Sequence, residues 1–509
     1  MSLTKLSSFR AIGKSVDTVR MNVNNIKEAL PPVGDEGTGT SKALDDQPIT
    51  TGRPLEKGMS LSLWLQSVRN NPLLNHRTTE ELPKTADVVV IGSGITGSLT
   101  ALSLLQSSNP PKSVVLLEAR ELCSGATGRN AGHCKPDQWR GFTKYKELYG
   151  TEEALKILAN EQKTWEGVVQ YIKEHKVDCD LWVGKTLDVL MTDDVAAIAA
   201  KTFADYKEAG GDVSKIQVTI DQQEAEKISR LKGAKAVYAW DASNLHPWKI
   251  VAHINKRSLD LGLNLQTWTP VTRITGSSNN WKIHTDRGEI NTPVVIHATN
   301  AYAGALLPET KGAIRPCPHM CNKVLPPSTF AGSQSLKNSY AVIYPTGSYT
   351  INPRFTSDGI LLFGGAAPNQ PKLLDYVAED QSRRIDDSLT NFEPVTDAVK
   401  KLGTEGFEWD NPERGSEVLY DYAWSGIIGR SADQVPFIGA VPGKEGQWMC
   451  AGHNGHGMAR IFTCAPALAE LVLGSTWQDT GLPNCFQVTK ERLERHLDAE
   501  AATSLGAKL

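Results

Sequence analysis

The chain has 509 residues, 40% of them hydrophobic, and its 54 basic and 57 acidic side chains leave a formal net charge of −3. A single core stops growing near ~250–300 residues, so two or three domains are expected, and so even a charge balance supplies no basic field for nucleic acid. No run reaches the ~18–20 uninterrupted apolar residues of a membrane span; the most apolar late stretch, 461–473, contains Pro466 and Glu470.

In chain order, Lys5, Arg10, Lys14 and Arg20 sit among serines with Asp17 the one acid before Glu28, a faint likeness to a mitochondrial presequence. Residues 31–58 are rich in Gly, Pro, Thr, Ser and Asp, too polar to offset the cost of ordering them. Residues 1–59 therefore read as a disordered extension, with the folded body starting near Ser60. The start lacks an apolar signal core and the eight cysteines are thinly scattered, which fits a reducing intracellular compartment.

The Val-Val-Val-Ile run within 87–91 reads as a strand buried on both faces. Gly92-Ser93-Gly94-Ile95-Thr96-Gly97 follows, and Ile95, Leu99, Leu102 and Leu105 or Leu104 then recur at helical spacing until Pro110-Pro111 forbids continuation. Residues 114–117 resume as a second buried strand, completing a βαβ unit. The segment 151–235 mixes helical patterns, notably 152–175, with short strands, and 240–299 reads as strand-rich, closing on 294–299. Residues 317–401 alternate turns with strands at 341–344, 349–351 and 360–363, a separate antiparallel sheet. The glycine-rich 424–457 feeds a helix over 458–473 that Gly474 stops. Beyond it a surface tail with one charged helix, 489–497, is expected.

The glycine loop carries the strongest chemical signal, because it follows a buried strand, opens a helix and precedes a strand ending in an acid. Gly92 permits the tight turn, Gly94 lets backbone approach a diphosphate, and Gly97 lets helix pack on strand. The diphosphate meets the amides and positive dipole end of the helix. Glu118 lies 21 residues after Gly97, close to the ~20 expected for the carboxylate that holds an adenosine ribose. These residues establish a dinucleotide site and leave FAD or NAD open.

The small-residue loop Cys123-Ser124-Gly125-Ala126-Thr127-Gly128-Arg129-Asn130-Ala131-Gly132-His133, with Ala423–Gly439 and Gly452-His453-Asn454-Gly455-His456-Gly457-Met458, resembles the D-amino-acid oxidase and glycine oxidase superfamily of FAD enzymes, nearest its fungal and bacterial amine-oxidising branch. The resemblance covers about 60–474. It implies an α/β protein: a Rossmann-like FAD-binding domain discontinuous in sequence (60–150, 240–315, 420–474) and an α+β substrate domain on an antiparallel sheet (151–239, 316–419), with 475–509 as a tail. It implies FAD contacts at Gly92, Gly94, Ile95, Thr96, Gly97, Glu118, Ala119, Arg120, Ser124, Ala126, Thr127, Gly128, Asn130, Ala131, Gly132, Val271, Arg430, Gly455, Gly457 and Met458.

The chemistry the resemblance implies is hydride transfer to flavin N5 from the C–H beside an amine, with dioxygen as acceptor, giving imine and peroxide. The alternatives are a dehydrogenase serving another acceptor and a flavin-binding module without catalysis; a monooxygenase would need a second glycine fingerprint for its nicotinamide, and none is evident. By position, His133 and His456 are candidates to orient the amine, Arg354 to clamp a carboxylate and Lys323 to assist oxygen. Cys134, Cys317, Cys321 and His133 are the candidates for covalent flavin attachment. Cys317 and Cys321 have no second pair at zinc spacing, so no metal is expected. The terminal Ala507-Lys508-Leu509 is a one-residue variant of the Ser-Lys-Leu address, so a peroxisomal import receptor and peroxisomal localisation are expected, with cytoplasm or mitochondria as alternatives.

Overall fold

The computed structural model describes residues 51–355, 359–366, 370–409 and 418–495. A six-stranded sheet runs in the order Phe437–Ala440, Gln447–Ala451, Val294–His297, Val88–Ile91, Val114–Leu117, Asn264–Gln266. Its neighbours are parallel except at the Phe437–Ala440 edge. The Val-Val-Val-Ile strand is central and buried at every position, as a parallel strand covered on both faces must be. Alternation then assigns the two faces. Val88 and Val90 join a core with the helices, whereas Val89 and Ile91 pack with Val271, Trp281, Ile283 and Ile290 of a small three-stranded antiparallel sheet. On the helical face Ile95–Leu105 lies against Ile461–Val472, and Thr100 Oγ1 donates to the Ala465 carbonyl at 3.4 Å.

The second large sheet has nine strands. The expected strands at 341–344, 349–351 and 360–363 exist as Ser339–Tyr344, Gly347–Pro353 and Leu361–Ala366, but they are not a separate sheet. Ser339–Tyr344 pairs in parallel with Trp182–Leu190, which pairs in turn with Ala236–Asn244, so the middle of the chain contributes to the same surface. At the other side Leu419–Ser431 pairs along the length of Ile314–Leu325. A domain boundary drawn at 420 thus falls inside a strand of this sheet.

Some local readings change and one is matched. The strand-rich stretch 240–299 contains the helix Pro247–Asp260, whose Pro247 at the first turn and His246 cap start it. The long helix Phe142–Glu174 is interrupted at Gly150, where φ is 83°, so its second part matches the helix expected over 152–175. Residues 475–495 are not a surface tail: Leu482, Phe486, Val488 and Leu493 are buried, and Arg492 forms a buried ion pair with Asp433 at 2.6 Å. Residues 496–509, with the Ala507-Lys508-Leu509 motif, and residues 1–50 lie outside the described residues. Residues 51–59, expected in the extension, are placed against the body. Among the described residues no helix is long and apolar enough to cross a membrane, and no group of three or more His, Cys, Asp or Glu is arranged to hold a metal ion.

Candidate active site

Four parallel strands end at one place. The glycine turn follows Val88–Ile91, Glu118 follows Val114–Leu117, Ala298–Thr299 follow Val294–His297, and His453–Met458 lie just beyond Gln447–Ala451. Ligands of open α/β sheets bind at such carboxyl ends. A continuous cleft of about 1950 Å³, counting its open mouth, starts beside Glu118, crosses the glycine turn and reaches the nine-stranded sheet at His319, Cys321 and Thr350.

The turn is shaped for a bulky ligand. Gly92 has φ 105°, and a Cβ there would lie 2.7 Å from the Ala298 carbonyl oxygen; a Cβ on Gly97 would overlap the Gly92 carbonyl. Gly94 differs, because its φ of −62° suits any residue and a Cβ would meet only Thr127 Oγ1, at 3.3 Å, on the cleft wall. Ile95 and Thr96 bring the helix N-terminus to the cleft, where its dipole favours a diphosphate. The Glu118 carboxylate accepts from Ser93 N at 2.9 Å, Ser93 Oγ at 2.7 Å and Arg120 N at 3.0 Å. Behind it Arg120 donates to both oxygens of buried Asp387, at 3.0 and 2.9 Å, and Arg129 Nε lies 3.2 Å from the same carboxylate. Both arginines line the cleft.

The inner end is built on two buried ionic nodes. Lys135 pairs with Asp188, which Arg140 also approaches at 3.3 Å, and the Lys135 ammonium stands 4.8 Å from the Trp240 ring centroid. Glu161, fully buried on the long helix, accepts from Arg460 Nε at 2.9 Å and Asp137 N at 2.7 Å and faces His456 Nδ1 at 3.1 Å. Burial opposes its ionisation, but His456, Arg460 and these hydrogen bonds outweigh that and hold the carboxyl below its ordinary value. His456 Nε2 faces the Lys135 carbonyl at 2.6 Å, so this node fixes the ring against the other. Burial, then Lys135, His456 and Arg140, push His133 well below the usual histidine value. Burial and Arg430 lower His319 to about 4, and burial and Arg460 lower His453 to about 3. These three imidazoles are neutral at pH 7.

Most of the residues expected at the cofactor line this cleft: Gly92, Gly94, Ile95, Thr96, Glu118, Ala119, Arg120, Ser124, Ala126, Thr127, Asn130, Ala131, Val271, Gly455, Gly457 and Met458, with His133 and His456 at the inner end. Gly97, Gly128, Gly132 and Arg430 are not in its wall. Gly97 and Gly132 act by close approach: a Cβ on Gly132 would lie 2.7 Å from the Leu245 carbonyl. Arg430 is opposite Arg315 on the Leu419–Ser431 strand. Arg354 and Lys323 are misplaced by the sequence reading. Arg354 pairs with Asp180 at 3.0 Å and lies over the Trp64 ring, in a small separate pocket. Lys323 sits between Leu362 and Tyr422 on the sheet, beyond the cleft residues His319 and Cys321. Of the attachment candidates, His133 and Cys321 line the cleft and Cys134 and Cys317 do not.

Lys135, His319, Thr350, His453, Asn300 and Tyr302 also line the cleft and were not foreseen. The residues fit FAD. Arg129 Nη2, Thr299 Oγ1, Thr350 Oγ1 and His453 Nδ1 are buried on its wall without hydrogen-bond partners among the described residues, and a flavin dinucleotide offers the acceptors and donors such atoms require.

The model of the family described as FAD dependent oxidoreductase matches residues 87–471. A probable oxidoreductase OrdL of Rhizobium meliloti (strain 1021) is 25% identical over 402 residues, 77% of this chain and 84% of its own length. The gamma-glutamylputrescine oxidoreductase of Escherichia coli (strain K12) is 23% identical over 395 residues, 77% of this chain and 84% of its own. The crystal structure of glycine oxidase from Geobacillus kaustophilus shares the fold with a TM-score of 0.60 at 17% identity, covering 80% of this chain and 99% of that one. With its family match spanning most of its length and its cleft shaped for the dinucleotide, this chain belongs to the FAD dependent oxidoreductase family, and FAD is its cofactor.

Proposed function

We propose that the protein oxidises a small amine or amino acid at the C–H bond beside nitrogen: the substrate loses a hydride and a proton to become an imine, and dioxygen takes up the two electrons and two protons as hydrogen peroxide. Bound FAD supplies the acceptor for the electron pair. One observation carries the reading. Among the described residues lining the cleft, the one carboxylate is Glu118 at the outer end, while the inner end presents neutral His133 and His319 with Lys135 and Thr350. The carboxylates just behind it, Asp188 and Glu161, are already engaged by Lys135 with Arg140 and by Arg460 with His456.

Such a site gives an ammonium no free counter-charge and places cations nearby, so it favours the free amine. That form has the nitrogen lone pair which assists loss of hydride from the adjacent carbon. The Thr350 hydroxyl and the His133 ring, whose Nε2 lies 2.9 Å from Ser339 Oγ, then fix its orientation. The relative named as gamma-glutamylputrescine oxidoreductase supports the substrate class. Anaerobic mixing of the flavin-loaded protein with a panel of amines and amino acids tests it: bleaching near 450 nm by one class, followed by stoichiometric peroxide on admitting oxygen, is expected. A flavin that none of the panel bleaches overturns the reading, and bleaching with slow reoxidation by oxygen would make another electron acceptor the partner. Import into peroxisomes through Ala507-Lys508-Leu509 belongs to the same proposal and is tested by deleting the three residues from a fluorescent fusion.

A further inference from the structure

Residues 51–60 precede the span shared with the family, which begins at 87, and yet they reach the cleft. Arg53 and Pro54 stand in its wall, and with Leu55, Glu56, Ala119 and Pro270 they line a side chamber of about 540 Å³, counting its open mouth, at the outer end. That end is the adenosine side by connectivity. Glu118 closes the strand Val114–Leu117, Thr269 N donates to the Glu118 carbonyl at 2.8 Å, and Trp268 N donates to the Arg120 carbonyl at 2.9 Å. The wall opposite the segment is therefore the one that carries the ribose-binding acid.

The segment is moored rather than draped. Thr51 Oγ1 donates to the Gly304 carbonyl at 3.3 Å, the Leu55 carbonyl accepts from Arg120 Nη1 at 3.3 Å, and Ser60 N donates to the Asp387 carbonyl at 2.8 Å. Ser60 Oγ accepts from Arg129 Nη1 at 3.1 Å. Gly52 is packed so closely that a Cβ would lie 2.6 Å from Ile385 Cδ1. The mooring points, Arg120, Asp387 and Arg129, are the node whose two arginines line the cleft. Between them Arg53 is exposed and lines both the cleft and the chamber, whereas Pro54 and Leu55 are half-buried.

We propose that residues 51–60 are a strap that completes the cofactor site over its adenosine half, with the Arg53 guanidinium and the Pro54 ring contacting the nucleoside diphosphate portion of FAD. Guanidinium groups serve this purpose well, since they pair with phosphate and stack on purine faces. The inference rests on FAD being the cofactor and is independent of the amine chemistry, so an unbleached flavin would leave it standing.

The full-length protein, stripped of flavin, is titrated with FAD and with ADP. Arg53→Ala weakens both by a common factor of roughly tenfold, the loss of one contact to a charged group. Arg53→Lys restores part of that affinity, and the urea midpoint of the apoprotein stays unchanged. Trypsin cleavage after Lys57, which is exposed, slows when either FAD or ADP is added. Wild-type affinity of Arg53→Ala for both nucleotides overturns the strap, as does FAD weakened with ADP unaffected, or cleavage indifferent to both ligands.

Discussion

Replacing Glu161 by glutamine keeps the shape of the side chain, removes its charge and turns one of its two acceptors into a donor. In the folded protein Glu161 and Arg460 have side-chain exposures of 0% and 1%, and both oxygens are in use, one toward Arg460 Nε at 2.9 Å and the other toward Asp137 N at 2.7 Å. Breaking a buried pair from one side leaves the other charge uncompensated, which costs about 3–5 kcal/mol. Removing both, as Glu161→Leu with Arg460→Met, costs far less than the sum of the single changes, since neither charge is left stranded. Urea unfolding followed by tryptophan fluorescence on the four proteins closes the cycle. The pH dependence supplies a second reading. The folded-state carboxyl is held below its ordinary value of 4.5, so its stabilisation is fully present above that pH and is lost as the pH falls toward the lower folded value; Glu161→Gln flattens the curve in that acid window. A Glu161→Gln protein within ~0.5 kcal/mol of wild type, or additive single changes, would refute the reasoning.

Two further outcomes are expected. His297, inside the six-stranded sheet and 2.9 Å from Gln447, is lowered to about 4 by burial, partly offset by that hydrogen bond; the unfolded chain takes up a proton near 6.5 and the folded one does not, so stability falls by up to ~3 kcal/mol between pH 6.5 and 4. His297→Gln removes that slope in urea midpoints measured across the range, and an unchanged slope contradicts it. Lys135→Met leaves Asp188 to Arg140 alone and takes a cation from the inner end; stopped-flow reduction by the best amine slows at least roughly tenfold while the flavin spectrum is retained, and an unaltered rate would remove Lys135 from the chemistry.

The dinucleotide half is legible in sequence because it is local: strand, glycine turn, helix, strand and acid follow one another over residues 87–118, and each responds to its neighbours. The inner end is long-range. Glu161 meets Arg460 across 299 residues and Lys135 meets Asp188 across 53, so no window holds both partners. A trace remains in each case. Asp188 interrupts an apolar run between Leu187 and Val189, and Glu161 falls on the helix stripe that buries Ile157, Thr164 and Val168; a carboxylate at such a place must find a cation or stay neutral. Arg354 shows the opposite error, a side chain read as a substrate clamp whose counter-ion is the protein's own Asp180. The late segment misleads through composition: its charges suggest a solvated tail, yet Arg492 is the buried partner of Asp433, and Phe486 and Val488 complete the core.

That FAD lies across the glycine turn is tested most directly at Gly94, where an added methyl is harmless to the backbone and points into the cleft. Gly97→Ala, whose methyl would overlap the Gly92 carbonyl, lowers the stability of the apoprotein itself and serves as the control. Gly94→Ala apoprotein is expected to unfold within ~0.5 kcal/mol of wild type while its affinity for FAD, measured by quenching of flavin fluorescence, falls by at least roughly tenfold. A folded Gly94→Ala protein that binds FAD as tightly as wild type would contradict the placement of the cofactor.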